Sequence, residues 1–167
     1  RQDYAEAIKW FKLAADQGNP DAQLQLGLLY KNGNGVRQDY AKAFKWFKLS
    51  ADQGNPVAQL RLGFLYKNGE GVRQDYAEAF KWYKLSADQG YDRAQFNVGF
   101  MYLKGLGVRQ DDAEAFKWFK LSADQGNADA QCALGALYSN GDGVRQDYAE
   151  AFKWFKLAAD QGNAEAQ

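Results

Sequence analysis

Between Asn19 and Gly54 the apolar residues run twice at helical spacing, with polar residues filling most of the other positions. The first run sets Ala22, Leu26, Leu29 and Tyr30 on one face and predicts a helix, here helix A. Asn19 is a strong N-cap residue, and Pro20 suits the first helical position, where its missing N–H costs nothing. Asn32-Gly33-Asn34-Gly35 ends the run as a tight connection, with Val36 expected to tuck beneath it as an apolar anchor. The second run, through Ala41, Ala43, Phe44, Trp46, Phe47, Leu49 and Ala51, predicts helix B, capped by Asp39 and closed by Gly54. Its apolar residues cover most of its circumference, as expected of a helix held between two others. Lys45 and Lys48 mark its solvated strip, with i,i+3 pairs of the Glu6–Lys9 type in other copies.

That pattern recurs along the whole chain. Arg-Gln-Asp begins at Arg1, Arg37, Arg73, Arg109 and Arg145, each 36 residues after the last. A fixed period of this length marks stacked units that bury their apolar faces only against neighbours. The sequence reads as helix B, then A–B four times, then the start of another A. As one domain over 1–167 it divides into a half repeat at 1–18, full repeats at 19–54, 55–90, 91–126 and 127–162, and a stub at 163–167. Beginning and ending in mid-pattern, it reads as a piece of a longer array.

Asp3, Asp75, Asp111 and Asp147 each precede a Glu by three residues, the spacing of a reciprocal capping box. The second copy has Lys42 in place of Glu and is expected to keep only half of it. Gly27, Gly63, Gly99 and Gly135 lie inside helix A, where Gly costs roughly 1 kcal/mol against Ala. Their recurrence predicts close packing of A against B, with Ala5, Ala7 and their equivalents as the small counterface. Tyr91-Asp92 replaces Asn-Pro, which predicts a helix start shifted by one residue.

Ala-x-x-x-Leu-Gly-x-x-Tyr, Gly-x-Gly-Val, Asp-x-x-x-Ala-x-x-Trp and Ala-x-Gln-Gly recur in order, and this resembles the Sel1-like repeat, a relative of the tetratricopeptide repeat. The resemblance implies an all-α fold, a right-handed α/α superhelical solenoid with helix A on its concave side. It also implies adaptor roles in signalling, secretion, envelope assembly or host contact. One bacterial branch of the family staples each unit with a disulfide and is linked to penicillin binding. This chain lacks that cysteine pair in every unit, so the link does not carry over.

Helix B hardly varies between copies, whereas one face of helix A drifts. Positions 21, 24, 25, 28 and 31 and their equivalents change together, at spacings that place them on one side. If that side faces a groove, the partner-binding residues are Gln25, Leu28, Lys31, Arg61, Phe64, Lys67, Arg93, Asn97, Phe100 and Leu103. Phe64, Phe96 and Phe100 would supply an apolar middle, and Arg61, Lys67 and Arg93 a basic shoulder. Such a groove suits a peptide with apolar anchors and an acidic residue or C-terminal carboxylate. Leu24, Leu60 and Phe96 fit equally well as packing between successive A helices, and neutral drift of duplicated units also explains variation.

Composition narrows the function further. The chain has 21 basic and 21 acidic residues, interleaved, which opposes nucleic-acid binding and a polybasic membrane patch. No apolar run approaches the roughly 18 residues of a spanning helix, so no membrane insertion is expected. Without His, Ser-His-Asp and Cys-His systems are ruled out and most transition-metal sites are unsupported. The lone Cys132 reads as a small apolar residue, and no pattern implies a cofactor or an enzyme. The expectation is a scaffold that binds a protein or peptide segment on the helix-A face. The alternatives are a self-associating array joined end to end, or a binder of small molecules or cell-wall fragments in the same groove.

Overall fold

A computed structural model describes residues 4–162, and every run assigned above to a helix within that range forms one. The nine helices among the described residues are α1 (Tyr4–Asp16), α2 (Pro20–Asn32), α3 (Tyr40–Asp52), α4 (Pro56–Asn68), α5 (Tyr76–Asp88), α6 (Asp92–Lys104), α7 (Asp112–Asp124), α8 (Ala128–Asn140) and α9 (Tyr148–Asp160). Even-numbered helices are the A helices and odd-numbered ones the B helices. The expected start of a further A helix at 163–167 and the Asp3 cap lie outside the described residues. Two compact units make up the chain, Arg1–Ser86 and Ala87–Gln167, divided within α5.

Polar punctuation sets the helix ends. The Asn19, Asn55 and Asn127 side chains accept from the N–H three residues on, at 2.9, 2.9 and 3.0 Å. Tyr91 occupies the same cap position without a side-chain bond, so α6 starts in the common register and the shifted start does not occur. Asp92 instead accepts from Asn127 Nδ2 at 3.0 Å. At the B helices, Asp39, Asp75, Asp111 and Asp147 accept from N–H groups of the first turn. At α5, α7 and α9 the reciprocal half of the capping box is not made among the described residues. Glu78, Glu114 and Glu150 instead pair with Lys81, Lys117 and Lys153 one turn on. Those carboxylates, as hydrogen-bond acceptors first and as charges second, raise the three lysine pKa values above their ordinary value.

The recurring Arg-Gln-Asp has a mechanical reason. Gln38 donates to the carbonyl of Lys31 at 2.8 Å, and the Asp39 N–H donates to the carbonyl of Tyr30 at 2.9 Å, so the tripeptide clamps the end of helix A while capping helix B. Gln74 and Gln146 repeat the clamp on Lys67 and Ser139. The second loop glycine is needed for approach as well as for conformation. Gly71, at φ 71°, lies so close to the Tyr40 carbonyl at the start of α3 that a Cβ there would meet backbone.

In the first unit, Leu24, Ala43, Phe47, Ala58, Leu62 and Leu65 form a buried core across α2, α3 and α4. In the second, Ala115, Phe119, Ala130, Leu134 and Leu137 do the same across α7 and α8, with Phe96 and Phe100 of α6 packed against them. A polar ladder accompanies each core. Gln131 donates to the Ala123 carbonyl and accepts from Gln161, while Ser122 donates to the Asp92 carbonyl. The buried Gln131 and Ser122 side chains are thereby satisfied by neighbouring helices.

Two packing expectations are corrected. The helix-A glycines meet an aromatic ring of helix B rather than alanine: Gly63 faces Tyr83, Gly99 faces Phe119 and Gly135 faces Phe155. The missing Cβ lets the ring approach the helix backbone closely. Helix B is also not covered all round, since Leu49 is 48% exposed and Leu13, Leu85, Leu121 and Leu157 are similarly open.

Candidate functional site

The drifting face of helix A opens a cleft in the second unit. Its volume is about 580 Å³. Phe96, Phe100 and Leu103 of α6 form one wall, and Cys132, Ala133 and Ala136 of α8 form the other. The floor is Phe119 of α7 and Phe155 of α9. Phe96 and Phe119 pack with ring centroids 5.5 Å apart at 46°. The cleft exists because α8 carries short side chains where α6 carries long ones, one repeat apart on the same face. Ala136 is exposed, and Phe100 and Leu103 are half-buried.

Charge at the cleft differs from the expectation. Asp129 is the charged residue of its lining. An adjoining hollow of about 390 Å³ shares Leu103, Ala133 and Ala136 and adds Asp112, Asp142 and Lys104. Asp112 stands where the other copies have tyrosine. The balance is therefore acidic, so the basic shoulder does not extend to this cleft.

Of the ten residues singled out by the sequence, Phe100 and Leu103 line the cleft. Arg93 is exposed on α6. Asn97 is buried and donates its side-chain amide to the Arg93 carbonyl at 2.8 Å, an internal bond that accounts for its polarity. In the first unit Gln25 is exposed, while Leu28, Lys31, Arg61, Phe64 and Lys67 are half-buried. Phe64 is held edge-on against Tyr83, with centroids 5.5 Å apart. The buried Nε of Arg61 has no hydrogen-bond partner among the described residues. Phe119 and Phe155 were missed because they sit on the nearly invariant helix B, although a ring opposite each helix-A glycine was the available signal.

Among the described residues no group of three His, Cys, Asp or Glu side chains could hold a metal ion. No helix among them is long and apolar enough to cross a membrane.

Short helices of equal length, each A helix seated by a glycine on the ring of the B helix that follows it, define an α-helical repeat protein of the solenoid class. The chain belongs to the Sel1 repeat family, whose model matches residues 1–19, 20–55, 56–91, 92–127 and 128–163. Among solved structures it is similar to a protective antigen present in uropathogenic Escherichia coli strains, displaying the Sel1-like repeat fold, at 43% identity and a TM-score of 0.96 over 99% of this chain. It is also similar to a Sel1 repeat protein from Oxalobacter formigenes, at 41% identity and a TM-score of 0.92 over 99% of this chain. The chain spans 35% of the first and 67% of the second. Helicobacter pylori cysteine rich protein B shares the fold, at 20% identity and a TM-score of 0.61, over 80% of this chain and 96% of that one. No curated protein matches the chain.

Proposed function

We propose that the chain is a binding scaffold whose helix-A face holds a protein segment, with the cleft in the second unit as its anchor pocket. The observation that carries this is the hollow opened by Ala133 and Ala136 opposite Phe100 and Leu103, floored by two aromatic rings. Its volume falls within the range of pockets that enclose a bulky apolar group. An aliphatic or aromatic side chain would enter the cleft. The carboxylates of Asp129, Asp112 and Asp142 favour a basic residue beside that anchor rather than an acidic one.

The test is binding of labelled peptides that carry one Phe or Leu next to Lys or Arg, read by fluorescence anisotropy. Ala136→Trp fills the cleft from an exposed position and leaves the core untouched. Loss of binding in that variant, with unchanged helicity, supports the cleft. Wild-type affinity in the variant contradicts it. The double change Phe64→Ala with Phe100→Ala is a weaker test, because Phe64 packs on Tyr83 and Phe100 on the α7–α8 core.

A further inference from the structure

Equivalent residues of α1 and α3 each line a hollow in the first unit, and at α3 its charge is not balanced. In the first unit, Lys12 of α1 and Lys42, Lys45, Trp46 and Leu49 of α3 surround a depression of about 350 Å³, closed on one side by Tyr30 of α2. Its wall is almost wholly apolar apart from the three ammonium groups.

Two devices neutralise the equivalent lysines elsewhere. In the next copy Lys48 lies over the Trp82 ring at 5.2 Å and pairs with Asp52 at 2.6 Å, while Lys81 pairs with Glu78. In the second unit Lys120 lies over Trp154 at 5.4 Å and pairs with Asp124 at 2.6 Å, while Lys153 pairs with Glu150. At the α3 hollow both are lacking. Lys12 makes neither contact, and Lys42 stands where the other copies place glutamate, so Lys45 has no carboxylate partner among the described residues. Lys42 itself turns its ammonium toward the Tyr30 ring at 5.3 Å and lies 3.5 Å from Asp39. Three cations therefore share one carboxylate around a partly buried tryptophan and a half-exposed leucine.

From this geometry we infer that the hollow is a second binding site, for a peptide segment that presents an aliphatic or aromatic side chain flanked by carboxylates. The apolar side chain would lie on Trp46 and Leu49, and the carboxylates would meet Lys12 and Lys45, whose charges are unspent. A nucleic acid fits less well. It needs a run of cations tracking its backbone, whereas α1 and α3 end in Asp16 and Asp52 and the whole chain is neutral. The chemistry is opposite in sign to that of the cleft on α6 and α8, so the two sites select different segments.

The experiment uses the whole chain and a fluorescein-labelled peptide with one Phe between pairs of Asp and Glu. Lys42→Glu restores the Glu–Lys pairing found at positions 78, 114 and 150, so the fold tolerates it. The expected result is saturable binding that weakens with added salt and falls about tenfold or more in Lys42→Glu. Replacing the peptide's Phe by Ala should weaken binding comparably. Equal affinity of wild type and Lys42→Glu would overturn the inference. So would undiminished binding of the peptide lacking Phe, or tighter binding of a single-stranded oligonucleotide or of vesicles rich in anionic lipid.

Discussion

The ring of Phe119 occupies the space where a side chain on Gly99 would begin, with an ideal Cβ there only 2.8 Å from the ring's Cδ1. The same ring floors the cleft on the helix-A face. One contact thus sets the approach of α6 to α7 and the depth of that cleft.

Gly99→Ala should therefore destabilise the protein. Alanine recovers about 1 kcal/mol of helix propensity, but overpacking against a buried ring costs about 1–3 kcal/mol. Gly135→Ala should cost less, because its neighbour Phe155 is only half-buried and has room to yield. Urea midpoints for the two variants check the order. A larger loss in Gly135→Ala would contradict the packing described.

Tyr83 should be more useful as phenylalanine. It is fully buried against Gly63, its hydroxyl has no hydrogen-bond partner among the described residues, and the equivalent positions 11, 47, 119 and 155 carry Phe. Removing an unsatisfied buried hydroxyl should stabilise by about 1 kcal/mol, read from denaturant unfolding. Burial also pushes the hydroxyl pKa far up. The unfolded chain ionises near the ordinary tyrosine value of about 10, while the folded chain keeps its proton. Stability from this group is present below that pH and is lost as pH rises through it. Tyr83→Phe should flatten that alkaline loss.

Tyr91→Asn should restore the missing cap of α6. Asn19, Asn55 and Asn127 each accept an N–H bond that Tyr91 does not. A gain of about 1 kcal/mol in thermal unfolding is expected. No gain would mean that the half-buried Tyr91 ring contributes as much as the cap.

The helix pattern was legible in the sequence because Asn, Pro, Gly and Asp mark every boundary, and local chemistry decides boundaries. The lining of the candidate cleft was legible only in part. Drift at i, i+3, i+4 and i+7 found Phe100 and Leu103, but the floor belongs to Phe119 and Phe155, which do not drift. Asn97 looked like a contact residue because its bond to the Arg93 carbonyl runs within one helix and leaves no trace in the pattern. Alanine was the nearest small residue to pair with the helix-A glycines. The ring that meets them depends on how the helices are rotated, which spacing alone does not fix. Lys42 was visible as a broken capping signature, and its consequence for Lys45 needed the hollow to be seen.

Cys132 offers the most direct measurement. It is the chain's one cysteine, it is buried, and it lines the cleft. Its alkylation by iodoacetamide should slow several-fold when a peptide with an apolar anchor beside a basic residue is bound at saturation. An unchanged rate with the peptide demonstrably bound would place that segment elsewhere and contradict the cleft as its anchor.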